Sequence, residues 1–196
     1  NISNNDDLQI SKEKVFLSVS GEKRAEKMSK IAELQNIDAV YASSYVRAMQ
    51  TAKYFAQENH TIINVDDRLN DRLFGDIDKL NGNNFYKMQV MDFDYKLPGG
   101  ESLNETKKRM IEVMKNILMF ETGNRVIIVG HPTAFTCLLS AWCDMGRNYD
   151  DEIILSYKDE TIVDGHTSTS LIYKVVFEGM SVKDIQCIDV NTEKKL

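Results

Sequence analysis

Two side chains able to grip an oxyanion stand at matching places in the sequence. In VIIVGH followed by PTAFTCLL, residues 126–139, an apolar run ends at His131 and a helical pattern starts at Pro132. In AVYASS followed by YVRAMQTA, residues 39–52, a second apolar run ends in Ser43 and Ser44, and Arg47 lies in the first turn of the next helix. Open α/β sheets take ligands beyond the carboxyl ends of their strands, so both segments are expected to face one crevice. A proline at the first helical position loses nothing by lacking an N–H, which sets His131 at a helix entrance beside unused backbone donors. Such a place suits an anion. A cation in the first turn of a helix opposes the helix dipole unless an anion lies nearby, and a guanidinium grips phosphate through two parallel hydrogen bonds. Singly, Arg47 reads as a salt-bridged surface residue and His131 as a hydrogen-bonded core residue. At equivalent strand ends, together, they point to phosphate.

The elements that must position them follow from periodicity. SGEKRAEKMSKIAELQ, opened by Ser20 as N-cap, repeats Ala25, Met28, Ile31, Ala32 and Leu34 at helical steps. A strand is expected from about Ile37 to Ala42, a helix over YVRAMQTAKYFAQ and a short strand over Thr61 to Val65. From about 66 to 100 the pattern weakens into an Asn-, Asp- and Gly-rich excursion with one short helix, as functional lids or walls do. Helical period returns through Leu103, Thr106, Met110, Met114, Ile117 and Leu118, behind Ser102 and Glu105 at capping-box spacing. RVIIVGH is apolar throughout, as in a strand covered on both faces, and ILSYK, TSLIYKVVF and DIQCIDV alternate like antiparallel or edge strands. Helices alternating with short apolar strands predict an α/β fold with a mainly parallel sheet, and the length of 196 residues fits one domain over 1–196.

Composition narrows the partners. A net charge of −6 argues against a nucleic-acid surface, and no apolar run or leader pattern suggests a membrane span or secretion, so a cytoplasmic protein is expected. Cys137, Cys143 and Cys187 form no CxxC pair and read as reduced core thiols. His60, His131 and His166 lack metal-ligand spacing, so no metal is expected. Oligomeric state stays open, a homodimer included.

Five segments, in order, resemble the histidine phosphatase superfamily, the phosphoglycerate mutase-like proteins. LSVSGEKRAEKM is similar to LTxxGxxQA, VYASSYVRAMQTA to VYSSxLxRAxQTA, RLNDRLFG to RLxExxxG, PGGESLNETKKR to GGESxxExxxR and VIIVGH to VxxVSH. The resemblance implies a three-layer sandwich with a mainly parallel central sheet flanked by helices. It also implies hydrolysis of a small-molecule phosphoester without metal or cofactor. Arg47 would bind phosphate, His131 would be the second histidine that hydrogen-bonds the transferring group, and Asp71 would stand where relatives carry an acidic proton donor, usually glutamate. Ser44, Glu101 and His166 become candidate substrate contacts, Arg109 a structural arginine. Asp66, Asp67 and Asp76 read as solvated loop charges and His60 as a surface-loop histidine.

The sequence departs from the family at Gly130, Pro132 and Asp71, and it contains no RHG motif, which in relatives carries the nucleophile at the end of the first strand. The chain opens at Asn1 in a polar stretch, so the nucleophilic histidine is expected upstream; about ten further residues, one strand plus the motif, would set Asn1 at the family's phosphate-contacting asparagine. Two alternatives stand beside hydrolysis: phosphoglycerate mutase-type transfer, disfavoured by the short span from Gly75 to Gly99, and a catalytically dead module that binds a phosphate ligand.

Overall fold

A computed structural model describes residues 11–76, 84–165 and 171–188. Its elements fall into two compact units, residues 1–70 with 116–131 and residues 71–115 with 132–196.

The first unit is built on three parallel strands in the order β2-β1-β3: β1 is Ala39–Ala42, β2 Ile63–Val65 and β3 Val126–Val129. Helix α1 (Val19–Ser29) packs on α2 (Val46–Glu58), which packs on β1 and β3. Ala48 and Ala52, one turn apart on α2, are fully buried, and their small side chains let the helix lie close to Val40 and Ala42 of β1, which are also fully buried. β1 and β3 run in register, with Ala42 opposite Val129, and the Ser43 N–H donates to the Val129 carbonyl at 3.0 Å. Both strands therefore stop at the same level.

The second unit holds α3 (Asn84–Met91), the greater part of α4 (Leu103–Phe120) and α5 (Pro132–Leu139). Its antiparallel sheet runs β4-β5-β6, formed by Asp144–Arg147, Ile153–Tyr157 and Glu160–Asp164, and a hairpin pairs β7 (Ile172–Glu178) with β8 (Ser181–Ile188). Leu139, Leu155, Ile162, Val163 and Ile185 form its core, with Trp142 packed against it.

The expected α/β fold and its parallel sheet are present, and within the described residues the ILSYK, TSLIYKVVF and DIQCIDV segments contribute the antiparallel strands β5, β7 and β8. Pro132 opens α5, and the capping box is made: Glu105 N–H donates to Ser102 Oγ at 3.0 Å and Ser102 N–H to Glu105 Oε2 at 2.9 Å. Several details differ. The N-cap of α1 is Ser18, whose Oγ accepts from Gly21 N–H, not Ser20. The helix stops at Ser29, because Ile31 is extended (ψ 132°), and Leu34 belongs to a separate 3-10 turn, Ala32–Leu34. β4 and β6 carried no clear period in the sequence; β4, DMGR, is exposed at every residue and is held by its ladder to β5. Cys187 is exposed, and of the three thiols only Cys137 is buried.

Candidate active site

In the first unit, the level ends of β1 and β3 bring Arg47 and His131 together. Arg47 lies in the first turn of α2, and its Nη2 is 3.1 Å from His131 Nδ1. His131, two residues past β3, is 1% exposed. Its Nε2 lies 2.9 Å from the Oγ of Ser43, the fully buried residue that follows β1. Tyr45 presents an edge to the imidazole, with ring centroids 5.0 Å apart, and the Arg47 guanidinium lies over the tyrosine ring at 4.9 Å. Arg47 Nη1 also donates to the Lys12 carbonyl at 2.6 Å. A cation against an aromatic face thus meets a buried imidazole beyond the carboxyl ends of two parallel strands, an arrangement chemically able to receive an oxyanion.

A third segment joins them. Asn70 Oδ1 accepts from Ser43 Oγ at 2.7 Å, from Ser44 N–H at 3.0 Å and from Ser44 Oγ at 3.1 Å. Ser44 is exposed at this turn. Asp66 departs from the expected solvated charge: its carboxylate caps the 3-10 turn Asp67–Leu69 and forms a two-pronged ion pair with Arg68. The Arg68 bond holds the Asp66 carboxyl below its ordinary value, against the opposing push of burial. His60 is exposed just beyond α2, with a left-handed φ of 52°.

The second unit carries the two other motif segments and stitches them together. Leu73 accepts from Glu101 N–H at 2.7 Å, and Asp76 N–H donates to Pro98 at 3.2 Å. Gly75 has φ +79°, and a Cβ there would lie 2.6 Å from the Pro98 carbonyl oxygen, so only glycine fits where these strands of chain cross. The Glu101 carboxylate accepts from Arg109 Nε at 2.7 Å, from Arg109 Nη2 at 2.8 Å and from Leu73 N–H at 3.1 Å. Burial pushes the Glu101 carboxyl up, but Arg109 and the Leu73 N–H together hold it below the ordinary value. Arg109 Nη2 reaches the Asp71 carbonyl at 3.3 Å, and Asp71 Oδ1 accepts from the Arg72 N–H at 3.0 Å. Arg109 thus braces the segment that carries Asp71.

The sequence singled out Arg47, His131 and Ser44 as candidates and placed Ser43 at a strand end, but gave no role to Ser43, Asn70 or Tyr45, which here surround the imidazole directly or through Ser43. Their signal was a place inside the resembling segments, Ser43 and Tyr45 in VYASSYVRAMQTA and Asn70 in RLNDRLFG. Sequence reasoning also missed Arg72, which is buried with its guanidinium against the Phe74 and Phe85 rings, themselves in edge-to-face contact, and is bonded to the Glu101 carbonyl and to Gln89. Asn1 and His166 lie outside the described residues. Among the described residues no helix is long and apolar enough to cross a membrane.

The chain is similar to known proteins. The model of the histidine phosphatase superfamily (branch 1) matches residues 3–173. Over 132 residues the chain is 30% identical to a Serratia proteamaculans protein named "Probable phosphoglycerate mutase GpmB", covering 63% of this chain and 61% of that protein. The chain thus spans about three fifths of the length of that curated relative. Among solved structures, the mycobacterial glucosyl-3-phosphoglycerate phosphatase Rv2419c with inorganic phosphate aligns with a TM-score of 0.60 at 20% identity, over 71% of this chain and 74% of that one. Bacillus stearothermophilus YhfR aligns with a TM-score of 0.55 at 23% identity, over 79% and 87%. These two likenesses establish a shared fold. With the ordered motifs and a family model that matches most of its length, the chain belongs to the histidine phosphatase superfamily.

Proposed function

We propose that this chain carries most of a metal-independent phosphatase that hydrolyses a small phosphomonoester through a phosphohistidine intermediate. The observation that supports it is the meeting of Arg47 and His131 at 3.1 Å at the ends of two parallel strands. On this reading a histidine upstream of Asn1 attacks phosphorus, the ester P–O bond breaks, and Asp71 gives its proton to the leaving oxygen. Water then attacks the phosphohistidine, releasing phosphate and restoring the imidazole. Arg47 and His131 hold the equatorial oxygens throughout, while Asn1, Ser44, Glu101 and His166 serve substrate binding. The scheme uses no metal and no organic cofactor, and its substrate is neither nucleic acid nor membrane lipid.

Phosphoglycerate mutase-type transfer is the second reading, favoured by the name of the curated relative. The test is to express the protein at its natural length and to measure phosphate release from small phosphomonoesters beside phosphoglycerate isomerisation. Release without isomerisation supports the phosphatase; the reverse overturns it. Removing one oxyanion donor typically costs about 10²–10³ in kcat, so Arg47→Ala and His131→Ala should each lower turnover at least about a hundredfold while keeping the folded circular-dichroism spectrum. Near-normal turnover in either variant defeats the assignment.

A further inference from the structure

The hydrogen bonds around His131 can be given directions, because three of the partners have no choice. A guanidinium only donates, so Arg47 Nη2–H points at His131 Nδ1, which must be a bare acceptor. A backbone N–H only donates, so Ser44 N–H identifies the Asn70 atom it meets at 3.0 Å as the oxygen. Ser43 Oγ, 2.7 Å from that oxygen, must spend its single proton there. Its two lone pairs then face the Tyr45 N–H at 3.2 Å and His131 Nε2 at 2.9 Å. Nε2 is left with one role, that of a donor. The order runs from Arg47 to Nδ1, from Nε2–H to Ser43, and from Ser43 O–H to Asn70.

We infer that Ser43 and Asn70 are positioning residues that hold the His131 proton on Nε2, so that the ring meets an incoming oxyanion through Nδ1 and must take up a proton from solvent to do so. An anion entering between Arg47 and the imidazole replaces a donor at Nδ1 with an acceptor. Since Nε2–H stays committed to Ser43, hydrogen bonding to the anion requires the imidazolium. Among the described residues of this unit, Arg47 on α2, Ser43 and Tyr45 in the β1–α2 turn, and Asn70 after the 3-10 turn stand beside the ring. Of these, the Arg47 guanidinium is the charged group and the Tyr45 phenol the other titratable one. A proton on Nδ1 would face the Arg47 N–H that now donates there, a clash of two donors that an anion entering between them resolves by accepting from both. The cradle is thereby a device that couples anion capture to proton uptake.

This inference rests on the phosphatase reading for its purpose but not for its test. In the full-length protein, nitrogen-15 NMR of labelled histidine should show His131 at neutral pH with its proton on Nε2 and Nδ1 bare. Titration with sulfate, an oxyanion that does not itself titrate in this range, should convert the ring to the doubly protonated form. In Asn70→Ala the Ser43 hydroxyl is freed to turn and donate to Nε2, so Nδ1–H should become populated, while Asn70→Asp, which keeps the acceptor, should restore Nε2–H. A wild-type ring protonated on Nδ1, or an imidazolium at neutral pH without anion, overturns the proposal. So does a ring unchanged at the highest sulfate concentration, or an Asn70→Ala protein with the wild-type tautomer. A protein with the expected tautomer that releases no phosphate refutes hydrolysis alone; an active phosphatase carrying Nδ1–H refutes this inference alone.

Discussion

Replacing Arg109 by methionine keeps most of the side-chain volume and removes a charge that Glu101 cannot do without. The guanidinium contributes bonds of 2.7 and 2.8 Å to that carboxylate and one of 3.3 Å to the Asp71 carbonyl. The pair is largely buried, with side chains 17% and 20% exposed. Breaking a fully buried pair costs about 3–5 kcal/mol, because the remaining charge is stranded. The residual exposure and the retained Leu73 N–H bond reduce this, so about 2–3 kcal/mol is expected for Arg109→Met at pH 7. The pH dependence has a definite sign. A carboxyl whose native pKa lies below its unfolded value, about 4.3 for glutamate, contributes stability that is fully present above that value and lost as pH falls through the lower native one. The gap between wild type and Arg109→Met should therefore narrow as pH falls below about 4. Urea unfolding followed by circular dichroism at pH 7 and at pH 3 measures both. A deficit under about 1 kcal/mol at pH 7, as for an exposed ion pair, or a deficit as large at pH 3 as at pH 7, would refute the argument.

Two further predictions concern neighbouring positions. Gly75→Ala puts a Cβ 2.6 Å from the Pro98 carbonyl oxygen and asks alanine for φ +79°, so a loss above about 2 kcal/mol is expected in the same unfolding assay; a loss below 1 kcal/mol would mean the crossing can relax. Burial, opposed in part by Arg72 and Arg109, pushes the Cys137 thiol up to about 12, whereas Cys187 is exposed, so iodoacetamide at pH 8 followed by peptide mass spectrometry should modify Cys187 in the native protein and spare Cys137 until denaturant is added. Native labelling of Cys137 would contradict that environment.

What could be read in the sequence, and what could not, divides along the range of the interactions. Helices announce themselves through their own period, so α2 and α4 were legible, as was Pro132 at the start of α5. Ser102 with Glu105 is a contact three residues long and was legible for the same reason. β4 was not, since DMGR has neither alternation nor strand propensity and exists through hydrogen bonds supplied by β5, about ten residues on. Ser18 and Ser20 compete for the same cap two residues apart, and the choice depends on which backbone N–H the turn presents.

The site shows the same division more sharply. Arg47 and His131 carry chemistry in their side chains, and each lies at a strand-to-helix junction, so type and place together made them candidates. Ser43 and Asn70 are 27 positions apart, and Ser43 lies 88 positions from His131. As residue types they are ordinary turn formers, and either would read as a local backbone cap. Only when the register of β1 against β3 sets Ser43 beside the imidazole does its hydroxyl acquire a fixed direction, and only the Asn70 oxygen makes that direction unique. An amide is well suited to this duty. Its oxygen accepts without titrating, so the Ser43 proton stays where it is placed while pH changes around it. An aspartate there would add a negative charge that favours the imidazolium before any anion arrives, and the proton uptake on binding would shrink accordingly. Asn70→Asp should thus keep the tautomer yet raise the His131 pKa, a separation of location from affinity that an NMR pH titration of that one ring can measure.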